Sequence, residues 1–145
     1  MPNAVKTYDA DQVVLVVGGF TIDSGFADGE FLRIEQESDD FTDVVGTDGE
    51  VARSKTNDRR ATISVLLMQT ASGNQALSAL SNLDRLTPNG AGIAPLLIQD
   101  GNGDTLYEAA SCWVQKPPDA SFDRAATTRE WTLRVADLIR NDAGT

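Results

Sequence analysis

The sequence predicts a mainly β domain: a sandwich or barrel of about seven or eight short strands, with one flanking α-helix and a projecting hairpin. Three observations lead there. Short apolar or alternating runs recur along most of the chain. Clusters of Gly, Asp and Asn separate them, and these residues punctuate turns. Only residues 72–86 carry a clear helical period. The 145 residues, 1–145, are expected to form a single domain, because a chain of this size buries about 68–70% of its unfolded surface and needs no staples.

Taken in order, residues 1–11 read as a polar N-terminal arm. Gln12–Val17 is apolar and β-branched, which suits a buried strand. Gly18-Gly19 ends or bends it, Phe20–Ile22 forms a short return strand, and Asp23-Ser24-Gly25 turns the chain. Glu30–Glu37 alternates. Phe31, Arg33, Glu35 and Glu37 face one way and Leu32, Ile34 and Gln36 the other, as in a strand with one wet face. Ser38-Asp39-Asp40 breaks that strand. Phe41–Val45 and Glu50–Lys55 then flank an Asp48-Gly49 hairpin signal, so the projecting hairpin is expected over about 41–60. Within Arg60–Gln69, Ile63, Val65 and Leu67 share a face opposite Thr62, Ser64, Leu66 and Met68.

Ser72–Leu86 is the helix. Ser72 and Gln75 fit a capping box, and Leu77, Leu80 and Leu83 form an apolar stripe. Thr87-Pro88-Asn89-Gly90 stops it. Strands over Pro95–Gln99 and Thr105–Gln115 flank the turn Asp100–Asp104. Lys116-Pro117-Pro118-Asp119 must be a loop, because adjacent prolines cannot sit in a central strand. Thr127–Ile139 reads as one closing strand, with Trp131, Leu133 and Val135 alternating, and 140–145 as a frayed tail.

Composition narrows the chemistry. Hydrophobic residues are 41% and charged residues 23%, a globular balance. The chain has no His and one Cys, which excludes Ser-His-Asp and Cys-His catalysis, His-containing zinc sites and an internal disulfide. Phosphate-binding glycine motifs are absent. Asp100-Gly101-Asn102-Gly103-Asp104 resembles the opening of a calcium loop, but Thr105 and Ser111 stand where that loop needs Gly and Glu, so a tight turn is expected. Asp39-Asp40 are turn neighbours and not the separated carboxyls of a glycosidase. No catalytic residue, metal ligand or cofactor is expected. Cys112, beside Trp113, is expected in the core on a face shared with Leu106, Ala110 and Val114. The longest apolar run, Val13–Val17, is too short to cross a bilayer, and the first residues lack the apolar segment of a secretory signal. These features suit a protein made in the cytoplasm.

Charge is the most informative pattern. The formal net charge is −10, the wrong sign for holding nucleic acid. Residues 23–50 carry ten acids against Arg33, and residues 51–60 carry Arg53, Lys55, Arg59 and Arg60 against Asp58. A hairpin this polar has little reason to pack on its own core. Its basic limb suits an acidic surface on a neighbouring copy, a pairing that sets register and partner choice.

The segments KTYDADQVVLVVGGFTIDSGFADGEFLRIEQESDDF and VGTDGEVARSKTNDRRATISVLLMQTASGNQALSAL resemble the tail tube (inner tube) proteins of contractile-tailed bacteriophages, which are related in fold to type VI secretion tube proteins. The resemblance implies six-fold rings built by continuing sheets edge to edge, and rings stacked head to tail into a tube. It also implies a surrounding tail sheath, a baseplate or tube initiator, and a tape-measure protein. Genomic DNA would pass through the lumen without specific binding. The protein would reside in the virion tail and its monomer would not insert in membranes. Six copies would carry about −60 of formal charge, which suits an acidic bore. Glu30, Glu35, Glu37, Thr62 and Ser64 are the lumen candidates. Asp39, Asp40, Asp43, Arg53, Lys55, Arg59 and Arg60 are the ring-stacking candidates. The competing reading is an acidic β-sandwich binding module for carbohydrate or protein, with Trp113 and Trp131 as its platform.

Overall fold

A computed structural model describes residues 5–143. Eight strands form one strongly curled sheet. They are β1 (Val13–Val17), β2 (Phe20–Ile22), β3 (Leu32–Gln36), β6 (Ala61–Met68), β7 (Ala94–Asp100), β8 (Leu106–Lys116), β9 (Thr128–Val135) and β10 (Leu138–Asn141). The order is β2-β1-β7-β8-β9-β6-β3, with β10 also on β8, and every pairing is antiparallel. The terminal strands β2 and β3 are not hydrogen-bonded to each other, so the expected sandwich or barrel is a single open sheet wrapped around its core. β4 (Phe41–Val45) and β5 (Val51–Lys55) form a separate hairpin, and α1 (Gly73–Leu86) closes one end of the curl.

Period-two alternation places the core. Ile63, Val65 and Leu67 of β6 meet Leu133 and Val135 of β9 and Leu15 of β1 on the inner face, all fully buried. The β1–β2 turn is Gly18-Gly19, with φ of +59° and +84° and Val17 paired to Phe20. Two successive positive φ angles are what a two-residue hairpin turn of matching twist requires.

The helix starts differently from the expected capping box. Ser72 is itself helical and its side chain makes no capping bond. Asn74 anchors the turn instead. Its Nδ2 donates to the carbonyls of Met68 (2.8 Å) and Ala71 (3.2 Å), and its Oδ1 accepts from Trp131 Nε1 (2.8 Å). Gly73 presses against Leu67 and Ile22, where a Cβ would sit 3.1 and 3.3 Å from their methyls. The helix therefore seats its first turn directly on the core.

The expected closing strand over 127–139 is broken at Ala136-Asp137 into β9 and β10. The cause lies on β8. Leu96 pairs with Ala109 and Ala94 with Cys112, so β8 spends one extra residue there, a β-bulge. Ala136 N–H donates to Ser111 C=O (3.1 Å) at the same level, so both strands bend together. The bulge turns Ala109 and Cys112 inward and leaves Ala110 exposed, correcting the face that grouped Leu106, Ala110 and Val114.

Both termini are tied down further than a loose arm and tail. Asp9 and Asn102 exchange two hydrogen bonds (2.8 and 2.9 Å), and Gln12 C=O accepts from Gly101 N–H (2.9 Å). Arg140 and Asn141 lie in β10, and Thr105 Oγ1 donates to Ala143 C=O (2.5 Å). The outermost parts of the expected arm and tail, 1–4 and 144–145, lie outside the described residues.

A polar clamp holds the hairpin to the sheet. Gln36 Nε2 donates to Ser38 C=O (2.5 Å) and Asp40 Oδ1 (2.9 Å), and Ser38 Oγ donates to Asp58 (2.8 Å). Arg60 grips the same carboxylate through Nε (2.8 Å) and Nη2 (2.9 Å). Hydrogen bonds from Arg60 and then Ser38 hold the Asp58 carboxyl well below the usual carboxylate range.

Two outcomes are expected. Burial pushes the Cys112 thiol up to about 12, so a thiol reagent at pH 8 should leave the native protein unmodified and label it fully once unfolded. Arg60→Gln should raise the Asp58 pKa towards its unperturbed value of about 3.9, read by carboxyl NMR titration. Because the native value is depressed, the clamp's contribution is present above the unfolded pKa and is lost as pH falls through the native one. The substitution moves that loss to higher pH.

Candidate functional site

The surfaces available for chemistry or assembly are the outer face of the sheet, its open edges and the hairpin. The outer face at β3, β6 and β9 is built by alternation. Cross-strand register sets Glu35 beside Thr62 and Thr62 beside Arg134, and Arg33 beside Ser64 and Ser64 beside Thr132. Thr62 Oγ1 donates to Glu37, whose carboxylate also lies 3.4 Å from Arg134 Nη1. Four of the five lumen candidates, Glu35, Glu37, Thr62 and Ser64, thus form one continuous patch. Charges of both signs are interleaved on it: Glu35, Glu37 and Glu130 against Arg33 and Arg134. Glu30 is separate. It precedes β3 and lines another groove with Tyr8, Ile34 and Tyr107, because its parity matches the inward residues Leu32 and Ile34.

The edges are open. β2 pairs only with β1, and β3 only with β6. β3 offers five residues of backbone along its outer side, a template that a solitary protein normally blocks.

In the hairpin all ten strand residues are exposed. Phe41, Asp43, Val45, Val51, Arg53 and Lys55 share one face, and Thr42, Val44, Ala52 and Ser54 the other, from the register Val45–Val51 to Phe41–Lys55. The Arg53 guanidinium stacks 4.2 Å from the centre of the Phe41 ring, a cation–π contact that stiffens the ribbon. Beside the turn, Val45 and Val51 pair on one face and Val44 lies on the reverse, each more than 60% exposed. Charge patterning drew attention to the acids and bases of this segment and passed over these valines, although three of them beside the turn were legible as a misplaced apolar group.

The stacking candidates divide. Asp43, Arg53 and Lys55 lie on the ribbon. Asp39 and Asp40 lie at its root, where Asp40 is held by Gln36. Arg59 and Arg60 belong to the connection into β6, outside the ribbon, which ends at Lys55 and not at 60. Arg59 Nε pairs with Asp137 (2.8 Å) and Arg60 with Asp58 (2.8 Å), so both brace the domain itself.

No group of three or more His, Cys, Asp or Glu that could hold a metal occurs among the described residues. The Asp100–Asp104 segment is a turn, with Asp100 Oδ1 accepting from Asn102 N–H (3.0 Å). Trp131 is buried and hydrogen-bonded to Asn74, and Trp113 is half-buried, so the two do not form an exposed stacking platform.

Known proteins resemble this chain in sequence and in fold. Structural protein ORF10 of Pseudomonas phage KPP10 is 27% identical over 150 residues, covering 99% of this chain and 86% of that protein. Three solved structures share the fold at low identity. The tube-terminating cap of the anti-feeding prophage has a TM-score of 0.63 at 11% identity, covering 97% of this chain and 94% of that one. A chain from the sheath–tube complex of an extracellular contractile injection system has 0.61 at 11%, covering 94% and 93%. One from that system's sheath/tube terminator has 0.59 at 14%, covering 90% and 94%. Residues 8–141 match the family described as the bacteriophage PhiTE tail tube protein. The chain belongs to this family of phage tail tube proteins and is a structural component of a phage tail.

Proposed function

We propose that this chain is the repeating subunit of a hexameric tail tube, with all of 1–145 acting as one tube-forming domain. The observation that carries this reading is the β4–β5 ribbon, whose apolar tip has no core of its own to bury it. Burial against another copy is the natural fate of such a tip, at about 25 cal/mol for each Å² covered. Within a ring, the outer side of β3 pairs with an edge strand of the next subunit, and repetition of one heterologous contact closes the circle. Between rings, the ribbon reaches the neighbouring copy, with Asp43, Arg53 and Lys55 setting register around the valine tip. Asp39 and Asp40 serve at its root. Arg59 and Arg60 contribute by holding the root in place.

The patch of Glu35, Glu37, Thr62 and Ser64 is our choice for the lumen wall. Its three acids against two bases give a modestly negative, hydrated surface, and at physiological salt the field reaches only about 8 Å. DNA sliding past such a wall would be repelled from close contact and held nowhere. Glu30, in its separate groove, is better placed for a contact between subunits. The tail sheath is the expected outer partner, in keeping with the sheath–tube complex whose subunit shares this fold. A baseplate or tube initiator and a tape-measure protein complete the set, with assembly in the host cytoplasm before incorporation into the virion.

Electron microscopy of the purified protein tests the reading: rings or tubes of uniform bore are expected, and a protein that stays monomeric under all assembly conditions would refute it. Replacing both Val44 and Val45 with Asp should change monomer stability by no more than ~0.5 kcal/mol while abolishing long tubes. Normal tubes from that variant would remove the ribbon from the stacking contact.

A further inference from the structure

Arg129 is the one charged side chain that is buried among the described residues, at 8% exposure. It sits at the start of β9 on the inward parity of Trp131 and Leu133, so alternation drives a guanidinium into the rim of the core. It takes part in none of the ion pairs of the described residues. Two acids of the loop after β8 make their contacts elsewhere: Asp119 lies 3.9 Å from Lys116, and Asp123 accepts from the backbone N–H of Arg124 (2.8 Å).

Neutral acceptors hold the guanidinium. Nη1 donates to Thr127 Oγ1 (2.6 Å) and Thr128 C=O (3.2 Å), and Nη2 to Ser121 C=O (3.2 Å). The Phe122 ring centre lies 5.4 Å from Cζ. Nε–H and one Nη2–H have no acceptor among the described residues. No polar side-chain atom there is both sealed from solvent and unpaired, so Nε keeps some contact with solvent, and Arg129 lines the adjoining groove.

That groove encloses about 440 Å³ between α1, β9 and the loop after β8. No acid lines it, although the chain carries 22 of them. Of its other polar walls, Asn74 is engaged through both Nδ2 and Oδ1, while Gln69 and Ser78 present donors. Gln69 uses Oε1 to accept from Thr127 N–H (3.0 Å) and Thr127 Oγ1 (3.2 Å), and neither its amide N–H groups nor the Ser78 hydroxyl has a partner among the described residues. Pro117, Pro118 and Phe122 supply apolar sides. A buried cation lacking a counter-charge, beside free donors and without a competing acid, is complementary to a planar two-oxygen anion. Side-on bidentate carboxylate is the geometry that a guanidinium holds best.

We propose that this groove receives an Asp or Glu side chain from a second copy of the chain, with Arg129 as its receptor. The proposal rests on the tube reading for the identity of the partner. The excess of exposed acids supplies the complementary charge, and the monomer leaves the cation waiting: burial of an ion pair is favourable only when both members are present and hydrogen-bonded.

The experiment has two arms. In the first, the Arg Nε–H resonances of the unassembled full-length protein are followed by NMR during titration with sodium acetate, against sodium chloride at equal ionic strength. The Arg129 signal, assigned by its loss in Arg129→Lys, should shift saturably with acetate and not with chloride. The exposed Arg124 should not follow. In the second, Gln69→Glu places a carboxylate in the groove while keeping the oxygen that accepts from Thr127. This variant should retain the wild-type melting temperature or exceed it, lose the acetate response, and raise the concentration needed for assembly at least ~tenfold. An Arg129 signal indifferent to acetate overturns the site. If wild-type Arg129 responds to acetate but the Gln69→Glu protein assembles at the wild-type concentration, the second copy is overturned as partner; a wild type that responds to acetate but never assembles overturns the tube reading and with it the second copy. Inorganic phosphate shifting Arg129 at roughly tenfold lower concentration than acetate would reassign the groove to a phosphate-bearing ligand.

Discussion

The arrangement depends on the strict alternation of β6 and β9, which pair over eight residues from Ala61–Val135 to Met68–Thr128. Every second side chain of this pair is committed to the core: Ile63, Val65 and Leu67 on one strand, Trp131, Leu133 and Val135 on the other. A one-residue slip would reverse both faces, and burial on the inner side forbids it. The opposite face is thereby fixed as the row of Thr62, Ser64, Thr132 and Arg134, to which β3 adds Arg33 and Glu35. Core and candidate wall are two sides of one constraint.

Much of this was legible in the sequence because period-two alternation is a local signal. The faces of β3 and β6, the hairpin, the single helix and the buried Cys112 follow from it. The bulge in β8 does not, since an extra residue is visible only against the partner strand. It displaced the inward face by one from Ala110 to Ala109 and split the closing strand into β9 and β10. The helix start was misread for a similar reason. Ser72 and Gln75 satisfy the local capping pattern, but Asn74 gains more by joining the end of β6 to Trp131, and that tertiary bond has no sequence signature.

Candidate surfaces were less legible than the fold. Charge runs located the hairpin and its surroundings, yet the structure assigns individual charges to different tasks. Arg59 and Arg60 neutralise acids of their own chain, Glu37 answers Arg134, and Arg53 lies over Phe41. Arg129 gave no signal at all in sequence, because its significance is the absence of an acid among neighbours drawn from α1, β9 and the loop after β8. Counting residues of each sign along a chain measures a field, whereas a specific contact such as the one proposed for Arg129 depends on which charges lack an internal partner.

The ribbon of β4 and β5 is joined to the domain through backbone connections and a few polar side chains at its root, and contributes nothing to the core. Its ten strand positions are therefore nearly free of the demands of folding. On the stacking role proposed above, substitutions there are filtered by the neighbouring copy and hardly at all by the stability of the subunit that carries them. On that same proposed role, such a segment can diverge quickly between related lineages and keep one population of subunits from mixing with another inside the same infected cell.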